Sequence, residues 1–220
     1  MGRALAVVAL LVCPAAAFEW LKPVYWQRQA ATAKLVGSAV SRGNRVLEVD
    51  AVEGAKNLYY LPFGCSVTQW LGTDEALKEF GPVGVAAQNL GLTVEVAKCR
   101  KTTRLPLLEP SYFDRALCIG ALERALNRGG DEAAAAMLDL ALKAVKPNGR
   151  LCFVEEAKEM NEKALAAILD EHPLVADCVA TVENGYILGV VTTQLDPNTK
   201  RGITSKAVPP TAADERKKKR

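Results

Sequence analysis

Residues 44–62, NRVLEVDAVEGAKNLYYLP, open with five residues of β character, Arg45–Val49, and pass through an acidic, irregular turn into a short helical run over residues 56–61. A strand entering a turn that holds Gly54 and leaving as a helix is the first half of a βαβ unit. Everything on either side can be read for whether it continues that alternation.

Downstream it does. Ser66–Leu71 (SVTQWL) predicts a second strand, residues 75–80 a turn or two of helix, residues 81–90 a small-residue segment, and residues 92–97 (LTVEVA) a third strand. The Pro and charge content of residues 100–110 predicts a loop. Residues 112–119 (YFDRALCI) predict a fourth strand, and residues 131–145 an Ala/Leu-rich helix starting after Gly129-Gly130. Residues 146–149 (KPNG) predict a turn, 150–154 (RLCFV) a fifth strand and 156–171 a helix. Residues 178–182 and 186–192 flank Glu183-Asn184-Gly185, an Asn-Gly hairpin signal. Upstream, residues 20–41 carry Trp20, Leu21, Val24, Tyr25, Ala30, Ala33, Val36 and Val40 at amphipathic-helix spacing. Alternating strands and helices imply a parallel sheet with right-handed crossovers, and the hairpin adds an antiparallel edge.

Three of these segments resemble motifs of the class I S-adenosylmethionine-dependent methyltransferases, and the resemblance spans roughly residues 40–193. Residues 44–62 are similar to the family's first motif, an acid followed by three spaced glycines; Glu48 falls on the acid, and Asp50, Val52 and Gly54 on the glycines. Residues 112–126 (YFDRALCIGALERAL) resemble the fourth strand and the substrate-facing turn after it. Residues 138–157 (LDLALKAVKPNGRLCFVEEA) look like the helix, L-K-P-G-G turn and fifth strand of the type 11, small-molecule branch. The resemblance implies an α/β fold, a Rossmann-like sandwich with a mainly parallel seven-stranded sheet and an antiparallel C-terminal hairpin. It also implies S-adenosylmethionine as cofactor and a small-molecule methyl acceptor. Mapped residue by residue, cofactor contacts fall on Glu48, Asp50, Ala51 and Gly54, on Leu71 and Gly72 after the second strand, and on Cys118 beside the reaction pocket; no catalytic residue is assigned.

The first motif departs from the family pattern where the chemistry is most demanding. Its glycines let backbone N–H groups approach the cofactor without Cβ atoms in between, some at positive φ. Here Asp50 and Val52 replace two of them; a β-branched Val is poorly suited to a left-handed backbone, and Asp50 brings a negative charge near the place of the cofactor's carboxylate. The acid that would accept the ribose hydroxyls maps onto Leu71, with Asp74 three residues later. Lys98, Cys99 and Arg100 stand at the adenine position. At about 1–3 kcal/mol for each lost hydrogen bond to a buried polar group, the affinity would fall by orders of magnitude. The alternative function is therefore an inactive pseudo-methyltransferase acting as a subunit or scaffold with a protein partner. A nicotinamide-binding Rossmann protein would need G-x-G-x-x-G after the first strand, and DAVEGA does not supply it.

With 220 residues, half of them apolar, the chain has material for one core, here residues 18–195. Residues 1–17 predict a secretory signal: Arg3, an apolar run of ten, Pro14, then Ala15-Ala16-Ala17. Such a run is too short to span a bilayer as a helix, which takes about 20 residues, so no stable membrane span is expected. The Ala17-Phe18 junction resembles the bipartite plastid presequence of algae with complex plastids, leaving a secreted or lumenal protein and a plastid protein both open. Residues 196–220 predict a disordered basic tail that carries the excess of the net charge of +3, too small to imply a nucleic-acid partner. After signal removal five cysteines remain, Cys65, Cys99, Cys118, Cys152 and Cys178, without a CxxC pair; they read as small hydrophobes, and no metal site is expected. His172, before Pro173, reads as a helix-terminal cation.

Overall fold

The computed structural model describes residues 22–52, 55–71, 80–98, 110–158, 165 and 168–195. The signal peptide, the basic tail, Gly54, Gly72, Asp74, Cys99 and Arg100 lie outside the described residues, as do the side chains of Leu71 and Lys98.

Helix α1 (Pro23–Ala39) has proline in its first turn, where the missing N–H costs nothing, and buries Gln29, Thr32, Leu35, Val36 and Ala39, the spacing of one helical face. Strand β1 (Arg45–Val49) follows, then a 3-10 turn (Asn57–Tyr60), β2 (Ser66–Leu71), α2 (Phe80–Leu90), β3 (Thr93–Lys98), β4 (Phe113–Ile119), α3 (Ala121–Ala144), β5 (Val145–Glu156), β6 (Val175–Glu183) and β7 (Tyr186–Thr193). These form one seven-stranded sheet in the order β3-β2-β1-β4-β5-β7-β6. All pairings from β3 to β5 are parallel; β7 runs antiparallel to both β5 and β6. Asn184 and Gly185 both take positive φ, 51° and 84°, as a two-residue hairpin turn requires. The α/β sandwich with a reversed seventh strand is thus present as expected.

Each face of the sheet carries its own core. Leu47, Val49, Trp70, Cys118, Leu151, Phe153, Ile187 and Val191 pack with α3 residues such as Leu122, Leu138 and Leu142. Val46, Val67, Leu117, Ile119, Cys152, Val154 and Leu188 pack with Leu35 and Val36 of α1 and with Val83 and Ala86 of α2. The period of two along the strands sorts these residues to opposite faces, and burial on both sides explains their continuous apolar runs.

Three sequence expectations need correction. Residues 81–90, expected as an irregular small-residue segment, form α2: Pro82 sits in its first turn and Gly81 and Gly84 do not prevent it. The helix expected to begin after Gly129-Gly130 starts ten residues earlier, at Ala121, and kinks at those glycines, with φ/ψ of −151°/21° and 68°/−164°. Residues 146–149 are enclosed within β5 as an irregularity in its pairing with β4, and that strand runs on to Glu156, displacing the expected start of the next helix. At His172 the Leu174 N–H meets Nδ1 at 3.2 Å and Nε2 lies 3.3 Å from Asp139 Oδ1.

Candidate functional site

In an open parallel sheet the strand order reverses at one place, and ligands bind beyond the carboxyl ends of the strands there. Here the chain runs outward from β1 through β2 to β3 and returns to β4 on the other side of β1, so the crevice lies beyond Val49 and Ile119. Three acids reach this edge: Glu48 and Asp50 from β1, and Glu155 from β5.

Glu48 is 2% exposed and fully engaged: Asn57 Nδ2 donates to Oε1 at 2.7 Å and Gln69 Nε2 to Oε2 at 2.8 Å. These two amides tie β1 to β2 and to the 3-10 turn. Beside them the Tyr60 hydroxyl donates to Gln29 Oε1, fastening that turn to α1. Glu48 is therefore in place as an organiser of the loop.

Asp50 is the departure. It stands at φ 50°, in the left-handed region that Asp tolerates better than most residues, and it is completely buried. Its carboxylate points into the molecule. Arg124 Nε reaches Oδ2 at 2.8 Å, Arg128 Nη2 reaches the same oxygen at 2.7 Å, and Arg124 Nη2 donates to the Asp50 carbonyl at 2.6 Å. Both arginines project from the first two turns of α3, one helical turn apart. The charge expected to repel a cofactor carboxylate is neutralised from within. Val52 does not take a left-handed backbone; it is 37% exposed.

Glu155 closes the other flank. Its oxygens accept the N–H groups of Leu122 and Glu123 at 3.1 and 3.0 Å, capping α3, while Glu123 Oε2 accepts the Glu156 N–H. Burial pushes its carboxyl up to about 8, against the lowering pull of the Glu123 and Leu122 N–H groups and of Arg124. Cys118 lies beneath Glu155, Arg124 and Asp50, fully buried, its thiol raised well above the usual range first by burial and then by Glu155. It is an inert wall.

Of the remaining cofactor positions, the structure describes Ala51 and the backbone of Leu71. Ala51 is buried and its N–H donates to Trp70 O at 3.0 Å, so that amide is already spent. Leu71 ends β2; Gly54 and Gly72 lie outside the described residues. At Asp50 and Ala51 the edge is occupied by a buried side chain, by Arg124 and by internal hydrogen bonds. Among the described residues no group of His, Cys, Asp or Glu could hold a metal, no cysteine is paired, and no helix is long and apolar enough to cross a membrane.

Sequence reasoning missed the residues that decide this site: Arg124, Arg128, Glu155, Asn57 and Gln69. The signal is partly there, since Arg124 and Arg128 are four apart in ALERALNR and share one helical face, but Gly129-Gly130 marks a helix start after them.

No protein-family model and no curated protein matches the sequence. Solved structures do match. The chain has a TM-score of 0.58 and 18% identity to Burkholderia thailandensis 1,6-didemethyltoxoflavin-N1-methyltransferase with bound 1,6-didemethyltoxoflavin and S-adenosylhomocysteine, covering 81% of this chain and 84% of that one. A SAM dependent methyltransferase from Aquifex aeolicus gives 0.55 and 18%, covering 81% and 97%. A 16S rRNA methyltransferase of T. Thermophilus, in complex with AdoMet and guanosine, gives 0.51 and 16%; 74% of this chain is covered, and it spans only 38% of that longer one. At these identities the likeness establishes the fold, that of the S-adenosylmethionine-dependent methyltransferases. The expectation of no nucleic-acid partner, drawn from net charge, gains no support from such neighbours.

Proposed function

We propose that this chain is a methyltransferase-fold protein whose cofactor edge has been closed from within, and that it works as a non-catalytic subunit or scaffold. One observation carries the reading. Asp50, at the place of a motif glycine, is wholly buried and held by Arg124 and Arg128, so the end of β1 satisfies its own charge and hydrogen bonds. A ligand carboxylate would have to displace Asp50 from two arginines, and a ligand amide contact would have to displace Ala51 N–H from Trp70. A second reading, an active methyltransferase for a small acceptor, is favoured by Glu48, which keeps the family's acidic position in ordered form. For either, we propose a secreted, lumenal or plastid setting, on the reading of residues 1–17 as a secretory signal.

Isothermal titration with S-adenosylmethionine and with S-adenosylhomocysteine separates the two. No heat at millimolar ligand is expected from the native chain, whereas Asp50→Gly combined with Val52→Gly and Leu71→Asp recovers binding. Saturable micromolar binding by the native protein would sink the closed-edge reading and leave the enzyme.

A further inference from the structure

We propose that the amino edge of the sheet, opposite the edge where Asp50 is held, is a docking surface for single-stranded nucleic acid. This goes beyond the reading above and stands whether or not S-adenosylmethionine binds.

Five cations gather at this edge. Arg42 and Arg45 flank the turn between α1 and β1, Lys146 stands at the start of β5, and Arg115 and Arg150 are direct partners across β4 and β5. Asp114 ties them to one place: its Oδ2 accepts the Arg45 N–H at 2.8 Å, its Oδ1 pairs with Lys146 Nζ at 2.7 Å, and its carbonyl accepts Arg115 Nη1 at 2.7 Å. Among the described residues Asp114 is the one carboxylate within ion-pair reach of any of the five. The local excess is larger than the +3 of the whole chain, so the small net charge conceals a one-sided distribution. The carbonyl end of α1 accounts for Arg115, whose Nε donates to Ala39 O at 2.6 Å. It does not account for Arg42, Arg45 and Arg150, whose guanidinium groups donate no hydrogen bond among the described residues.

Two exposed rings lie among these charges. The Arg42 guanidinium sits 5.1 Å from the centre of the Phe63 ring, and that of Arg45 sits 4.7 Å from the centre of Tyr112. Phe63 is 61% exposed and Tyr112 37%. Phe63 rests on Gly91, at φ 61°, where a Cβ would run into the ring, so the backbone leaves room for the ring at the surface. Tyr112 is steadied edge-on by the buried Phe113. Phe63 precedes β2 and Tyr112 precedes β4, the two neighbours of β1, which sets the stacks about two strand spacings, or about 10 Å, apart. Rings and guanidinium planes offer faces on which bases stack, while the surrounding cations meet phosphates. An acidic peptide would use the charge and leave the rings idle, and a duplex keeps its base faces within its own stack.

The test is fluorescence anisotropy of labelled oligouridylate and oligothymidylate with the full chain over a range of salt, with polyglutamate and anionic phospholipid vesicles as competitors. Saturable binding of at least one oligonucleotide at low salt is expected, weakening as salt rises. The triple variant Arg42→Gln, Arg45→Gln, Arg150→Gln, which leaves the Asp114–Lys146 pair standing, should bind about tenfold or more weakly, with a salt slope shallower by about 0.7 for each phosphate contact removed. Phe63→Ala should weaken binding about fivefold or more without changing that slope, as loss of a stacking face does. If Phe63→Ala fails to fold, Tyr112→Leu takes its place. No binding of either oligonucleotide overturns the proposal, as does a triple variant that binds like the native chain, which would assign the binding to the basic tail. Competition by polyglutamate or vesicles as effective as by unlabelled oligonucleotide, with the ring variants unchanged, would assign the edge to an acidic protein or a membrane and equally overturn it.

Discussion

Asp50 and its two arginines do not share their dependence equally. The carboxylate is wholly buried and Oδ1 already lacks a hydrogen-bond partner among the described residues, whereas the arginines reach the surface and can rehydrate when left alone. Removing a partner so that a buried charge is stranded costs about 3–5 kcal/mol, but a charge that regains water costs much less. Arg124→Met should therefore destabilise the fold by roughly 3 kcal/mol or more, and Asp50→Asn by only about 1–2 kcal/mol, because asparagine keeps the left-handed backbone and strands no buried charge. Urea denaturation of the two variants checks the order, and equal losses would show that the pair is not buried as described. Glu155 makes a second test, through pH. Its folded value, about 8, lies above the ordinary 4.5, so between those values the folded chain holds a proton that the unfolded chain releases. Stability from this group is complete below about pH 4.5 and is lost as pH rises through about 8. Glu155→Gln should lower stability overall, since its amide faces an N–H donor, yet flatten the decline between pH 5 and 8 in urea midpoints.

Among the elements, α3 carries both arginines on its first two turns and bends just after them. Gly130 holds φ 68° and ψ −164°, a region essentially closed to side chains, although nothing lies within 4 Å of the place where a Cβ would stand. Gly130→Ala should therefore cost about 1–3 kcal/mol with no steric clash to account for it, lowering the melting temperature by about 2–4 °C for each kcal/mol in a chain of this size. The same glycine pair hid the first half of the helix from sequence reading. Two adjacent glycines are a strong stop signal, and only the packing of Leu122 and Ala125 against the sheet carries the helix across them. In α2 the propensity cost of Gly81 and Gly84 is likewise overridden by burial of Val83, Ala86 and Ala87. The strands were legible because their signal is local: β-branched and apolar runs bounded by turns, as in Ser66–Leu71, which the structure reproduces to the residue. The site was legible only where one residue suffices, at Glu48 and in the loss of glycine at position 50. What Asp50 meets lies 74 residues away in sequence, and no local pattern announces that pairing.

Over the whole molecule the sheet is a shared wall between two cores, and its strand order depends on how closely β5 and β7 approach. Phe153, fully buried, sits directly opposite Gly189 across that antiparallel pair, and its ring covers the glycine: a Cβ added at 189 would lie 1.9–2.5 Å from three ring atoms. Glycine weakens a strand interior unless something packs on it, and here the ring does. The contact joins the parallel half of the sheet to the C-terminal hairpin, the feature that distinguishes this architecture from other doubly wound sheets. Gly189→Ala should consequently destabilise the protein by about 3 kcal/mol or more, at the upper end of overpacking costs, because a ring enclosed by the α3 core cannot move aside. Phe153→Leu alone leaves a smaller loss, and the double variant should recover part of the Gly189→Ala penalty. Urea denaturation in a double-mutant cycle reads that coupling, with an interaction energy of about 1 kcal/mol or more expected for residues in direct contact. Strict additivity would mean that the ring and the glycine do not touch, and that the hairpin is held to the sheet by its backbone ladder alone.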